Sequence, residues 1–281
     1  MALNRTFFIS KGEKEKIRWE ENWSGVSSGH YEDLNWDFKN YAFRLFDEHC
    51  QNYLNKKRYT TLLDMGSGDG RWMIYFAKRF GYKVAGIDYS HHACVLCAKN
   101  LKLAKVDGEV FTADFLHQEI PGQFDVVYLG GVIEHYQDPL FVLSKALTYL
   151  SPGGTLINWI PTSNGLSNFY VRLFDFKQLK RVVPIDGQKM EEWYDILELK
   201  KIEIHYNGSF SLNMFPIQKI KTRTPALHDF FIFPVGGMLN KTINELLILL
   251  HKYLNFRIEG KLISPFLIAF GIKQEKSDER S

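Results

Sequence analysis

The chain has 281 residues, of which 45% are hydrophobic, 15% aromatic and 24% charged, with a formal net charge of +3. That length suits one large α/β domain or a domain with a cap, and the composition excludes disorder over the bulk of the chain. The charge is too mild for the concentrated basic stripe that nucleic acid requires, so no nucleic-acid partner is expected.

Cys50, Cys94 and Cys97, in a chain whose start lacks a signal-like apolar run, point to a reducing, cytoplasmic setting without structural disulfides. The most apolar helical stretch, 243–253, is well short of the ~20 residues a membrane span requires.

In chain order, residues 1–57 read as an N-terminal arm or lid followed by a first helix. The stretch 17–36 mixes aromatics with Ser and Gly and has no clean period, whereas Phe38, Tyr41, Ala42, Leu45, Phe46 and Tyr53 recur at helical spacing. Regular alternation then begins: strand TTLLDM, helix 71–80, strand KVAGID, helix 93–104, strand GEVFTAD and strand FDVVYLGG, with Gly, Asp or Ser at each switch.

The next helix opens with Asp138 as N-cap and Pro139 at its first position, and SPGG is read as its stop before the strand TLINWIP. Strands alternating with helices predict a doubly wound, mostly parallel sheet, because parallel neighbours need crossovers that cover both faces.

Beyond Pro161 the alternation fails. Residues 162–190 read as an insertion that caps a substrate, 191–211 as a return to the core through KKIEIHYNG, and 212–260 as a second, aromatic insertion. Segment 261–273 is the closing strand and 274–281 a disordered polar tail. The second insertion is open between a cap, a dimer contact and a membrane-surface contact. Arg172, Lys177, Lys180, Arg181, Lys219, Lys221 and Arg223 are candidates for greeting an anionic acceptor or else form a solvated face, and a membrane contact of the second insertion would serve a lipid-linked acceptor.

The chemistry concentrates in LLDMGSGDGRW, residues 62–72. Gly66, Gly68 and Gly70 follow a buried strand at the turn where an open parallel sheet brings backbone closest to a ligand. The second strand ends in Asp88, about twenty residues on, where a carboxylate can accept both hydroxyls of an adenine ribose. The third ends in Asp114 and Phe115, an acid and a ring suited to an adenine. The dinucleotide fingerprint would require glycine at 71, where Arg71 stands, and a diphosphate tolerates no acid beside it. Asp64 instead suits a cationic ligand carrying an ammonium and a sulfonium.

These segments, with FDVVYLGGVIEHYQDP and LSPGGTLI, resemble the ordered motifs of class I S-adenosylmethionine-dependent methyltransferases. The resemblance is to the small-molecule branch that includes the ubiquinone- and menaquinone-pathway enzymes and sugar O-methyltransferases, and it is strong over 58–161, the expected cofactor-binding core. It implies a seven-stranded sheet whose last strand runs antiparallel between the fifth and sixth.

By motif position it implies that Asp64, Gly66, Ser67 and Gly68 hold the methionine end of S-adenosyl-L-methionine and Asp88 its ribose. Tyr89, Asp114 and Phe115 would hold the adenine, and the backbone of Leu129 and Gly130 would lie beneath the sulfonium. The family usually has a small polar residue where LGG stands here.

The expected activity is methyl transfer to a small-molecule acceptor, with oxygen favoured over carbon or nitrogen, releasing S-adenosyl-L-homocysteine. A non-catalytic module binding either compound is the rival reading. His135 is the candidate base, its alternative role being to hold the loop with Glu134. Trp23, Tyr31 and Trp36 are candidates either to close over the cofactor or to pack as an aromatic patch on the first helix. Cys94 and Cys97 read as packed thiols, since no second ligand pair follows them, and no metal site is expected.

Overall fold

The computed structural model describes residues 11–26, 39–54, 59–162, 182–209 and 233–274. In chain order the elements are α1 (Lys11–Ser24), α2 (Tyr41–Leu54), β1 (Thr61–Met65), α3 (Arg71–Phe80), β2 (Lys83–Asp88), α4 (His91–Ala104) and β3 (Gly108–Thr112). There follow β4 (Phe124–Gly130), a short 3₁₀ turn (Ile133–His135), α5 (Pro139–Tyr149), β5 (Leu150–Pro161), α6 (Gly187–Ile196), β6 (Lys200–Asn207), α7 (Phe233–Leu254) and β7 (Phe266–Ile272).

The strands form one seven-stranded sheet in the order β3-β2-β1-β4-β5-β7-β6. β1 pairs in parallel with β2 and β4, while β7 runs antiparallel between β5 and β6, with Ile157 opposite Phe270 and Ile204 opposite Ala269. This is the expected doubly wound sheet. Its central strands are buried on both faces, as parallel strands under crossover helices must be. Leu62 points into a core with Phe46 of α2, Phe76 of α3 and Leu101 of α4, whereas Leu63 and Met65 meet Leu143 of α5 and Trp193 of α6.

Local signals set several element ends. Asp138 caps α5 by accepting from the Phe141 N–H at 3.0 Å, with Pro139 at the first position, and Ser90 caps α4 by accepting from Ala93. Two readings are corrected. Segment 151–154 is not a break before a strand but a bulge inside β5: Phe124 pairs with Leu150 and Val126 already with Thr155. The stretch 17–36, read as aperiodic, begins inside the 14-residue helix α1 and holds its second half. Its inward stripe, Lys16, Trp19, Glu20 and Trp23, has helical spacing but mixed chemistry, so a search for apolar period passes over it.

In the second inserted region α7 packs on α2 through Leu247 against Tyr41 and Leu45, and Asn244 accepts a hydrogen bond from the Tyr41 N–H at 2.8 Å. Its opposite side exposes Leu246, Leu249 and Tyr253. No helix among the described residues is long and apolar enough to cross a membrane. The cationic candidates between Arg172 and Arg181 and between Lys219 and Arg223, as well as Tyr31 and Trp36 and all but the first residue of the expected tail, lie outside the described residues.

Candidate active site

At the carboxyl edge of the sheet, the ends of β1, β2, β3 and β4 and the inner stripe of α1 enclose a cavity of about 780 Å³. The strand side contributes Gly66 after β1, Asp88 and Tyr89 at the end of β2, Asp114 and Phe115 after β3, and Gly130 to Val132 with His135 and Tyr136 after β4. α1 contributes Lys16, Trp19 and Trp23. Of the residues expected to hold the cofactor, Gly66, Asp88, Tyr89, Asp114, Phe115 and Gly130 line this one space, as does His135. Asp64, Ser67, Gly68 and Leu129 do not reach its wall.

The glycine turn is shaped by close approach. Gly68 has φ +51°, and a Cβ there would lie 2.7 Å from the Trp23 ring, so the aromatic of α1 rests directly on bare backbone. The Gly68 N–H donates to Asp88 Oδ2 at 3.0 Å and the Ser90 N–H to Asp88 Oδ1 at 2.9 Å, which ties the first and second strand tips together. Burial raises the Asp88 carboxyl above the usual range, partly opposed by those amides.

Asp64 is fully enclosed, and its Oδ2 has no hydrogen-bond partner among the described residues; nor has Ser67 Oγ. Burial, then the charges of Asp88 and Asp69, push the Asp64 carboxyl well above its ordinary value. The three strand-end acids thus divide: Asp88 and Asp114 face the cavity, and Asp64 is buried below its wall.

α1 reaches all four strand ends. Lys16 pairs with Asp114, Glu20 meets Ser90 and His92, Trp19 stands edge-on to His135 with ring centroids 5.3 Å apart, and Trp23 covers Gly68. Sequence reasoning found Trp23 but missed Lys16, Trp19 and Tyr136. His135 Nε2 lies 3.8 Å from Glu134 Oε1. Glu134 is buried, and desolvation pushes its carboxyl up to about 7. Cys94 and Cys97 are buried free thiols, the second packed 3.6 Å from Met73 Sδ.

A family model of the methyltransferase domain matches residues 63–158, which hold the glycine turn and β1 through most of β5. Over those residues the chain is similar to methyltransferase domains.

Ubiquinone biosynthesis O-methyltransferase of Pseudomonas paraeruginosa is 37% identical over 97 residues, 34% of this chain and 41% of that protein. Phosphoethanolamine N-methyltransferase 1 of Zea mays is 31% identical over 105 residues, 37% of this chain and 21% of that protein. The match therefore spans less than half of either relative.

Among solved structures, phosphoethanolamine N-methyltransferase 2 of Haemonchus contortus, in complex with phosphomonomethylethanolamine and S-adenosylhomocysteine, superposes with a TM-score of 0.53. It is 16% identical, and the superposition covers 94% of this chain and 57% of that one. At that identity the likeness speaks for the fold.

Proposed function

We propose that this protein is an S-adenosyl-L-methionine-dependent methyltransferase that methylates an oxygen of a small-molecule acceptor, with His135 as the base. One observation carries the reading: two strand-end acids, Gly66 of the glycine turn and His135 line a single cavity, while a third acid is buried with one oxygen unpartnered among the described residues.

The residues present fit the cofactor. Buried oxygens without a hydrogen-bond partner among the described residues, Asp64 Oδ2 and Ser67 Oγ, suit a ligand ammonium at the glycine turn, because an unmet buried carboxylate is costly until a cation or donor arrives. Asp88 would hold the ribose, and Tyr89, Asp114 and Phe115 the adenine. Leu129 and Gly130 would contribute backbone at the methyl-bearing end.

When bound, the cofactor supplies a methyl group on a sulfonium, an excellent leaving group. The chain is then asked chiefly to orient the acceptor and exclude water. Trp19, Trp23 and Tyr136 give the cavity aromatic walls suited to that task. His135 holds a position from which it can take the acceptor's proton.

A cavity open to His135 favours an enzyme over a module that merely binds the cofactor. Incubation with methyl-labelled cofactor and a metabolite extract tests this directly: label in a small molecule through an ether or ester oxygen is expected. Label on nitrogen or carbon would reassign the acceptor atom. Cofactor binding without any transfer would favour the binding module.

A further inference from the structure

The pair Gly130–Gly131 opens the cavity wall toward two buried polar groups. A Cβ on Gly130 would lie 2.5 Å from the Tyr128 hydroxyl oxygen, and one on Gly131 would lie 3.6 Å from Glu134 Oε1. Both glycines line the cavity. Behind them, Tyr128 Oη and Glu134 Oε2 have no hydrogen-bond partner among the described residues, although both side chains are buried. A buried carboxyl with an unmet oxygen destabilises a fold, so it calls for a role beyond packing.

Part of that role is local, since the Glu134 carboxyl accepts from its own main-chain N–H. The loop is held by main chain: the Val183 N–H donates to the Glu134 carbonyl at 2.7 Å, His135 N–H to Val132 O at 3.1 Å, and Tyr136 N–H to Ile133 O at 3.2 Å. What the Glu134 carboxyl faces is His135, at 3.8 Å, a spacing that one ring rotation or one water closes. Among the described residues, His135 stands beside Glu134 and Tyr128 feels its charge, while Asp64, Cys50 and Arg71 act in turn on Tyr128.

We propose that Glu134 is a positioning residue for methyl transfer: from behind the Gly130–Gly131 wall its carboxylate orients His135 and balances the charge that His135 gains on taking the acceptor's proton. This rests on the methyltransferase reading above. In each turnover the acceptor oxygen's electron pair forms the new carbon–oxygen bond as the carbon–sulfur pair withdraws to sulfur. The hydroxyl proton passes to a ring nitrogen of His135, whose imidazolium then faces ionised Glu134 until that proton leaves to solvent.

The test combines turnover with NMR titration of the His135 ring in the protein without acceptor. Wild-type kcat should rise through about pH 7 as Glu134 ionises. Glu134→Gln should lower kcat about tenfold or more, abolish that limb and leave cofactor affinity unchanged, and Glu134→Asp should restore the limb with part of the rate.

Independently of turnover, the His135 pKa should be lower in Glu134→Gln than in wild type, and the wild-type His135 signals should show a second inflection near pH 7. Identical His135 titrations in the two proteins, or an unchanged pH limb in Glu134→Gln, overturn the proposal. Should Glu134→Gln fail to fold, absence of the second inflection in wild type overturns it equally. A wild-type protein that neither binds the cofactor nor transfers methyl defeats the methyltransferase reading instead, while the titration still judges the pair.

Discussion

The cavity has two walls of different construction. The strand wall, from Gly66 to Tyr136, stands on consecutive parallel ladders, and its acids sit where β2 and β3 run out. The α1 wall is attached by side chains: Lys16 to Asp114, Glu20 to Ser90 and His92, Trp19 to His135, Trp23 on Gly68. Backbone ladders break only when the sheet does, whereas exposed ion pairs and ring contacts each contribute little and break singly. Losses among the strand-end acids should therefore weaken binding tenfold or more, and losses in the α1 wall should only tune it.

The largest effect that separates the walls lies in Glu134. Its carboxyl titrates at about 7 against an ordinary 4.5, so the folded protein holds a proton that the unfolded chain releases between those values. Stability from this group is complete below pH 4.5, falls as pH rises, and is lost above 7, by about 3 kcal/mol. Glu134→Gln, which cannot ionise, should raise the thermal midpoint at pH 8 by several degrees and leave it near wild type at pH 4.5. Equal shifts at both pH values would show that the carboxyl is solvated.

Next comes Asp88→Asn. Losing a charged acceptor for the ribose should weaken cofactor binding by about 2 kcal/mol, roughly thirtyfold by calorimetry. A change below about threefold would remove Asp88 from the site.

Asp64→Asn sharpens the same contrast through pH. Because the empty-site carboxyl is raised, cofactor binding should drive its ionisation, and affinity should fall on acidification while ordinary carboxylates remain charged. The substitution should cost about tenfold in affinity and flatten that dependence. An equally steep dependence in Asp64→Asn would assign it to another group.

The smallest effects belong to α1. Lys16 is half exposed, so Lys16→Ala should change cofactor affinity by less than about 1 kcal/mol, in either direction. Cofactor should quench tryptophan fluorescence, and the quench should shrink in Trp19→Phe and Trp23→Phe. A full quench in the double variant would place the ligand away from α1.

Much of the strand wall is legible in sequence because each of its parts is local. Gly66 to Gly70 follow directly on a buried strand, Asp88 closes another, and Asp138-Pro139 starts a helix; each follows from a few contiguous residues whose backbone needs are short-range. The bulge at 151–154 escaped because the SPGG turn residues also suit a helix stop, and only pairing with β4 distinguishes the two.

The sequence by itself determined the order of elements from α2 to β5, the bare turn, and the placing of an acid at or next to the end of each of the first three strands. Tertiary structure decided that Asp88 and Asp114 share a cavity while Asp64 is sealed below it, that α1 forms the opposite wall, and that Glu134 is buried beside His135. The physical reason is range. Backbone conformation answers to neighbours in the chain, whereas burial and charge pairing answer to residues such as Lys16 and Asp114, 98 positions apart, that only the packed sheet brings together.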